Sequence, residues 1–177
     1  FKQVYFLPKR EIAPYDYIAE SKDLPYERIA VLNKIILQEK SKEPIIIVTT
    51  IEAAMQKMIS KEELYENIVD FKIGETYSIE NLKQTFVKLG YERTNLIEGQ
   101  GQFSIRGGIV DVGLSNKIGV RIEFWGDEVD SIRYFKIDSQ RSTEMIQNIT
   151  IFPAHEFIVQ NIYNAIKKIE ENYSNVD

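Results

Sequence analysis

The residues best suited to chemistry lie in a strand-like run from Gly119 to Trp125, whose alternate positions differ in character. Val120, Ile122 and Phe124 are apolar, whereas Arg121, Glu123 and Trp125 fall on the opposite face of a period-two element. A second run, Gln102 to Arg106, divides the same way, with Phe103 and Ile105 inward and Gln102, Ser104 and Arg106 outward. If these strands are neighbours, Arg106, Arg121 and Trp125 share one outer surface. Arginine and tryptophan are the side chains most enriched at the energetic centres of protein interfaces, where truncation costs about 2 kcal/mol or more. A guanidinium donates forked hydrogen bonds to carboxylates or carbonyls, and an indole supplies rigid apolar area. The chemistry that fits is recognition of another protein. Trp125 also admits a plainer reading, in which it covers the end of its own hairpin or packs under a helix at residues 79–89.

Other candidate groups are weaker. Asp127, Glu128 and Asp130 cluster at Gly126-Asp127-Glu128, which reads as a hairpin tip with solvated charges rather than a metal or catalytic site. His155 is the only histidine and follows Pro153-Ala154. With no partner of its own kind it reads as a structural hydrogen-bonding residue rather than a base. Gly99-Gln100-Gly101 superficially matches a nucleotide loop, but Phe103 and Ile105 continue it as a strand, so no helix N-terminus is offered to a pyrophosphate. A phosphate-binding loop of the form G-x-x-x-x-G-K-[ST] has no match, and Thr49-Thr50-Ile51-Glu52 follows the strand where it would stand. The sequence holds no cysteine, which removes disulfides, thiolate nucleophiles and cysteine-based zinc sites.

These residues need elements to carry them. Val4 to Leu7 is a short strand closed by Pro8, and Pro8 and Pro14 keep helix away until Pro25. Ile29, Leu32, Ile35 and Ile36 recur at helical spacing between Tyr26 and Glu39, after the start residues Asp23 and Pro25. Ile45 to Val48 reads as a buried, parallel strand. Thr49 with Glu52 has capping-box spacing before a helix carrying Ala53, Ala54, Met55, Met58 and Ile59, and Ser60 with Glu63 repeats it. From Ile68 the pattern changes. A strand over 68–73 leads to Gly74, and Ser78 caps a helix whose apolar face is Leu82, Phe86 and Leu89, closed by Gly90. Short strands follow at 93–97, 102–106, 109–112, 119–125, 129–137 and 149–152, joined by glycine-bearing turns as in antiparallel hairpins. Val159 to Tyr173 reads as a closing helix.

The fold class expected is α/β and α+β: part of an open α/β domain over 1–67, then a small antiparallel-sheet domain with one packed helix over 68–152. Residues 153–177 would begin the next segment. The 177 residues suit one domain or two small ones, and 27 acidic against 22 basic residues give a net charge of -5. That balance and the lack of a Lys/Arg-rich run disfavour a dedicated nucleic-acid binder. No apolar stretch is long enough to span a bilayer, and no signal peptide is visible. The chain begins at Phe1 without a methionine, and is expected to be an excised piece of a longer, cytoplasmic protein.

The stretch from Phe103-Ser104-Ile105-Arg106-Gly107-Gly108 to Val112, followed by Arg121-Ile122-Glu123-Phe124-Trp125-Gly126-Asp127-Glu128 and on to Arg133, resembles the UvrB-homology region of bacterial nucleotide excision repair proteins. Two families share that region, UvrB itself and the transcription-repair coupling factor (Mfd). Phe135 to Ser142, which reads Phe-Lys-Ile-Asp-Ser-Gln-Arg-Ser, and Ile151 to Phe157 resemble the coupling factor, as do Tyr15-Asp16 and Ile46 to Met58. UvrB usually has Asp-Pro-Leu-Thr-Gly where this chain has Asp138-Ser139-Gln140-Arg141.

The resemblance implies a non-catalytic fragment, with no cofactor of its own, that recruits UvrA to stalled RNA polymerase. It implies ATP and magnesium, RNA polymerase and double-stranded DNA as ligands of other domains of an ATP-driven DNA translocase. By motif, Arg106, Arg121 and Trp125 match the family's UvrA contact. The family often has phenylalanine at the last position, so Trp125 keeps the aromatic character and alters the fit. On this reading Arg106→Ala or Arg121→Glu abolishes UvrA binding while the fold survives. The alternatives are a UvrB-type ATPase fragment, which needs a phosphate-loop lysine upstream of Phe1, and a direct DNA-binding module, whose affinity would fall steeply with salt.

Overall fold

A computed structural model of the chain describes residues 3–10, 23–41, 43–156, 166–167 and 170. Strand β1 (Val4–Leu7) pairs in parallel with β2 (Ile46–Thr49), and helix α1 (Asp23–Ser41) connects them. The apolar stripe of α1 works largely as its spacing predicts: Ile29, Leu32 and Ile36 bury together with Leu64, whereas Ile35, expected on the same stripe, is 38% exposed. The strand expected to be buried is not. Ile46 and Val48 pair with Val4 and Phe6 on one face, and all four are exposed. Among the described residues no element covers that face, so apolar composition alone overstated the burial of β2.

Helix α2 (Ile51–Met55) is shorter than its sequence suggested, and its cap is one residue later. Thr50, not Thr49, accepts the Ala53 amide, at 3.2 Å. The Thr49 hydroxyl is already committed across the strand pair, donating to the Leu7 carbonyl at 2.9 Å. Helix α3 (Lys61–Tyr65) starts where expected, with Ser60 accepting from the Glu63 amide at 3.1 Å.

Beyond α3, β3 (Val69–Lys72) pairs antiparallel with β10 (Asn148–Ile151), and α4 (Ile79–Lys88) is capped by Ser78. The six-stranded sheet runs in the order β4 (Glu92–Arg93), β5 (Gln102–Arg106), β6 (Ile109–Gly113), β7 (Ile118–Trp125), β8 (Glu128–Lys136) and β9 (Ser142–Ile146). Leu82 and Phe86 of α4, with Leu89 at its C-terminal cap, pack on one side of it, against Phe103, Val110, Val112, Val120, Ile122, Val129 and Ile132. Burying each of these larger side chains stabilises the fold by roughly 1.5–3 kcal/mol. The molecule thus combines an α/β portion with a mostly antiparallel α+β portion bearing one packed helix, as the patterning predicts.

Three details of the sheet depart from expectation. The strand anticipated over 93–97 is only Glu92–Arg93, and it runs parallel to β5 rather than forming a hairpin with it. Residues 94–101 instead leave the sheet and cross its outer face. There the Ser104 hydroxyl donates to the Asn95 carbonyl at 3.0 Å, and the Gln140 amide donates to the Ile97 carbonyl at 3.0 Å. Ile97 packs with Phe135 and Ile137 in a small second core. Ser104, expected outward and polar, is buried under this crossing segment. Strand β9 had no counterpart in the sequence reading.

The two portions meet at a buried ion pair. Arg28 of α1 is 0% exposed; its guanidinium donates to both Glu156 carboxylate oxygens and to the Pro8 carbonyl. Tyr26 stacks on His155 beside it, ring centroids 5.4 Å apart. Most of the closing helix expected over 159–173 lies outside the described residues, as do Pro14, Tyr15 and Asp16; residues 166–167 and 170 are helical. Among the described residues no helix is long and apolar enough to cross a membrane.

Candidate protein-binding face

The outer side of the six-stranded sheet is built by alternation. Cross-strand register places Ser104, Asp111, Arg121, Arg133 and Met145 in one row, and Arg106, Ile109, Glu123 and Ser131 in the next. A bulge after Glu123 shifts the partners of Phe124 and Trp125 by one residue, so that Trp125 lies opposite Glu128 at the hairpin end. Gly126, with φ +64, makes the turn that follows. The three residues singled out from sequence therefore stand on one side of the sheet, Arg106 and Trp125 at hairpin ends and Arg121 at the middle of β7.

The segment 94–101 divides this side in two. Its closed half is covered, with Phe135 buried against Ile97 and lying over Gly119, where a Cβ would come within 2.4 Å of the ring. Its open half carries Arg106, Arg121, Trp125, Arg133 and Met145. The Trp125 side chain is 86% exposed and so neither covers its hairpin nor packs under α4.

The arginines are held by a carboxylate that sequence inspection passed over. Asp111 is 1% exposed and accepts from Arg106 Nη2 at 2.7 Å, Arg121 Nε at 2.7 Å and Arg121 Nη2 at 2.9 Å. Hydrogen bonding to Asp111 raises the Arg121 pKa above its ordinary value, against an opposing effect of burial. The Arg121 guanidinium also lies over the Phe135 ring, 4.9 Å from its centroid, a cation–π arrangement. Next to it, Arg133 donates to Glu123 and to Ser131 Oγ, the latter at 3.0 Å, and Ser131 donates to Glu123 at 2.9 Å. Three guanidinium groups and two carboxylates thus hold one another in place. A signal for Asp111 was present: a lone charge in Ile109-Val110-Asp111-Val112, on the polar phase of its strand.

Asp127, Glu128 and Asp130 are exposed at the hairpin, and among the described residues no group of histidine, cysteine or carboxylates could hold a metal ion. In the Gly99-Gln100-Gly101 turn, the Gly99 amide donates to Gln102 at 3.1 Å and the Gln100 amide to Asn116 at 3.4 Å. Those amides serve side chains rather than a phosphate. His155 is half-buried, and desolvation lowers its pKa.

Comparison with known proteins identifies the family. The family model described as "UvrB interaction domain" matches residues 69–157. The chain is 33% identical to a transcription-repair-coupling factor of Bacillus subtilis over 96% of its own length, which is 14% of that protein. It is 29% identical to the Staphylococcus epidermidis protein of the same name over 96% of this chain and 14% of that one. To the Escherichia coli protein it is 26% identical, over 83% of this chain and 12% of that one. The chain therefore spans about one seventh of the length of the relatives it matches.

Proposed function

Because the chain belongs to the UvrB interaction domain family and aligns along nearly its whole length with transcription-repair-coupling factors, we propose that it is a non-catalytic docking module for UvrA. The contact is carried by Arg106, Arg121 and Trp125. One observation supports this most: two guanidinium groups converge on a single buried aspartate while an indole on the same face of the sheet stands 86% exposed. A partner finds the charges already oriented and the aromatic anchor already in solvent, so little ordering entropy is lost on binding. The docking unit is residues 68–152, preceded by a partial α/β unit over 1–67.

In the parent protein this module brings UvrA to RNA polymerase stalled in the cytoplasm. ATP, magnesium and duplex DNA are handled by other domains of a translocase, and the module itself uses no cofactor. The test is titration of purified UvrA into this chain. The Arg106→Ala/Trp125→Ala double variant is expected to weaken binding about 30-fold or more, in line with losing about 2 kcal/mol at an interface centre. An unchanged dissociation constant with an unchanged melting curve overturns the assignment.

A further inference from the structure

Three side chains are a small part of a specific interface, which takes roughly 800 Å² from each partner. The same open half of the sheet continues toward β9. Met145 lies directly opposite Arg133 in register and is 68% exposed, whereas its neighbour Ile146 turns inward and packs on the main core. Arg133 lies opposite Arg121 on the other side. The row thus runs from the Asp111–Arg121 pair through Arg133 to an uncovered thioether. Methionine in such a position adapts its shape to an apolar seat at low cost.

We propose that Arg133 and Met145 form a second lobe of the docking site, so that the partner surface offers carboxylates over the arginines, one apolar seat for Met145 at the end of their row and another for Trp125 at the hairpin. This rests on the reading of the face as the UvrA contact. Charge is the reason for the occupant's chemistry. The open half holds Arg106, Arg121 and Arg133 against Asp111 and Glu123, and both carboxylates already accept from those arginines. An acidic counterpart is therefore needed over the centre. At the hairpin the sign reverses, because Asp127, Glu128 and Asp130 are exposed around Trp125. A centre and an edge of opposite charge admit a partner in one orientation and penalise the reversed one.

The experiment measures UvrA binding to Met145→Lys and Arg133→Gln beside the Arg106→Ala/Trp125→Ala variant, at two salt concentrations. Met145→Lys is expected to weaken binding about tenfold. Arg133→Gln is expected to weaken it several-fold at low salt and to flatten the salt dependence. Met145 is 68% exposed, so the Met145→Lys melting curve should match the parent, whereas Arg133→Gln gives up the ion pair to Glu123 and its binding is measured at a temperature where its own melting curve shows it folded. Parental affinity for both single variants, with binding lost in the double variant, overturns the second lobe and leaves the first. Parental affinity for all three overturns the docking reading itself.

Discussion

A carboxylate as deeply buried as that of Asp111 is stable only while its cations stay in place, since removing one partner of a buried pair leaves an uncompensated charge. The two arginines differ here. Arg121 gives Asp111 two hydrogen bonds from a side chain only 17% exposed, whereas Arg106 gives one from a side chain 45% exposed. Arg121→Ala is therefore expected to cost about 3 kcal/mol of stability, and Arg106→Ala less than about 1 kcal/mol; urea unfolding of the two variants checks the contrast. It follows that Arg121→Glu, which sets two carboxylates face to face, cannot separate lost binding from lost folding, and that Arg106 and Trp125 are the sounder probes. Strand alternation alone put Arg106, Arg121 and Trp125 outward. It left Asp111 looking like an ordinary solvated residue, because its burial depends on a guanidinium ten positions later in the chain that folds back over it.

At the scale of elements, the segment 94–101 decides how much of the sheet a partner can reach. Its fit to the sheet is tight at Gly113, where a Cβ would come within 2.0 Å of the Gly99 carbonyl oxygen and 3.2 Å of an Ile97 methyl. Gly113→Ala is expected to cost about 1–3 kcal/mol through overpacking. It should also speed amide hydrogen exchange across 94–101, measured peptide by peptide, while α4 stays protected. This segment was illegible beforehand because Thr94 to Ile97 has enough strand character to suggest a hairpin, and only its long-range bonds to Ser104 and Gln140 show that it leaves the sheet. Strand β9 was missed for a different reason. Ser142-Thr143-Glu144 has no apolar alternation, since an edge strand pairs on one side only and most of its residues face water. The central strands, whose inward residues meet α4, were read closely from period two, and α4 from its cap and apolar stripe.

For the molecule as a whole, the junction between α1 and residues 153–156 couples stability to pH. Burial lowers the His155 pKa below its ordinary 6.5. The unfolded chain therefore takes up this proton first as pH falls, and the stabilisation, complete above pH 6.5, is lost as pH drops through and below that value. His155→Phe keeps the stack on Tyr26 and removes the proton. Its melting temperature is expected to fall less than the parent's between pH 7.5 and 5.5, by differential scanning calorimetry. The same junction governs where the chain can be cut. Arg28 and Glu156 lie 128 positions apart in the chain, and the family match begins forty-one residues after the arginine. Excising that matched stretch keeps the acid and discards its guanidinium partner, and it opens to water the face that α1 covers. A shortened protein that begins at the matched stretch inherits that defect, and one that retains the first helix does not.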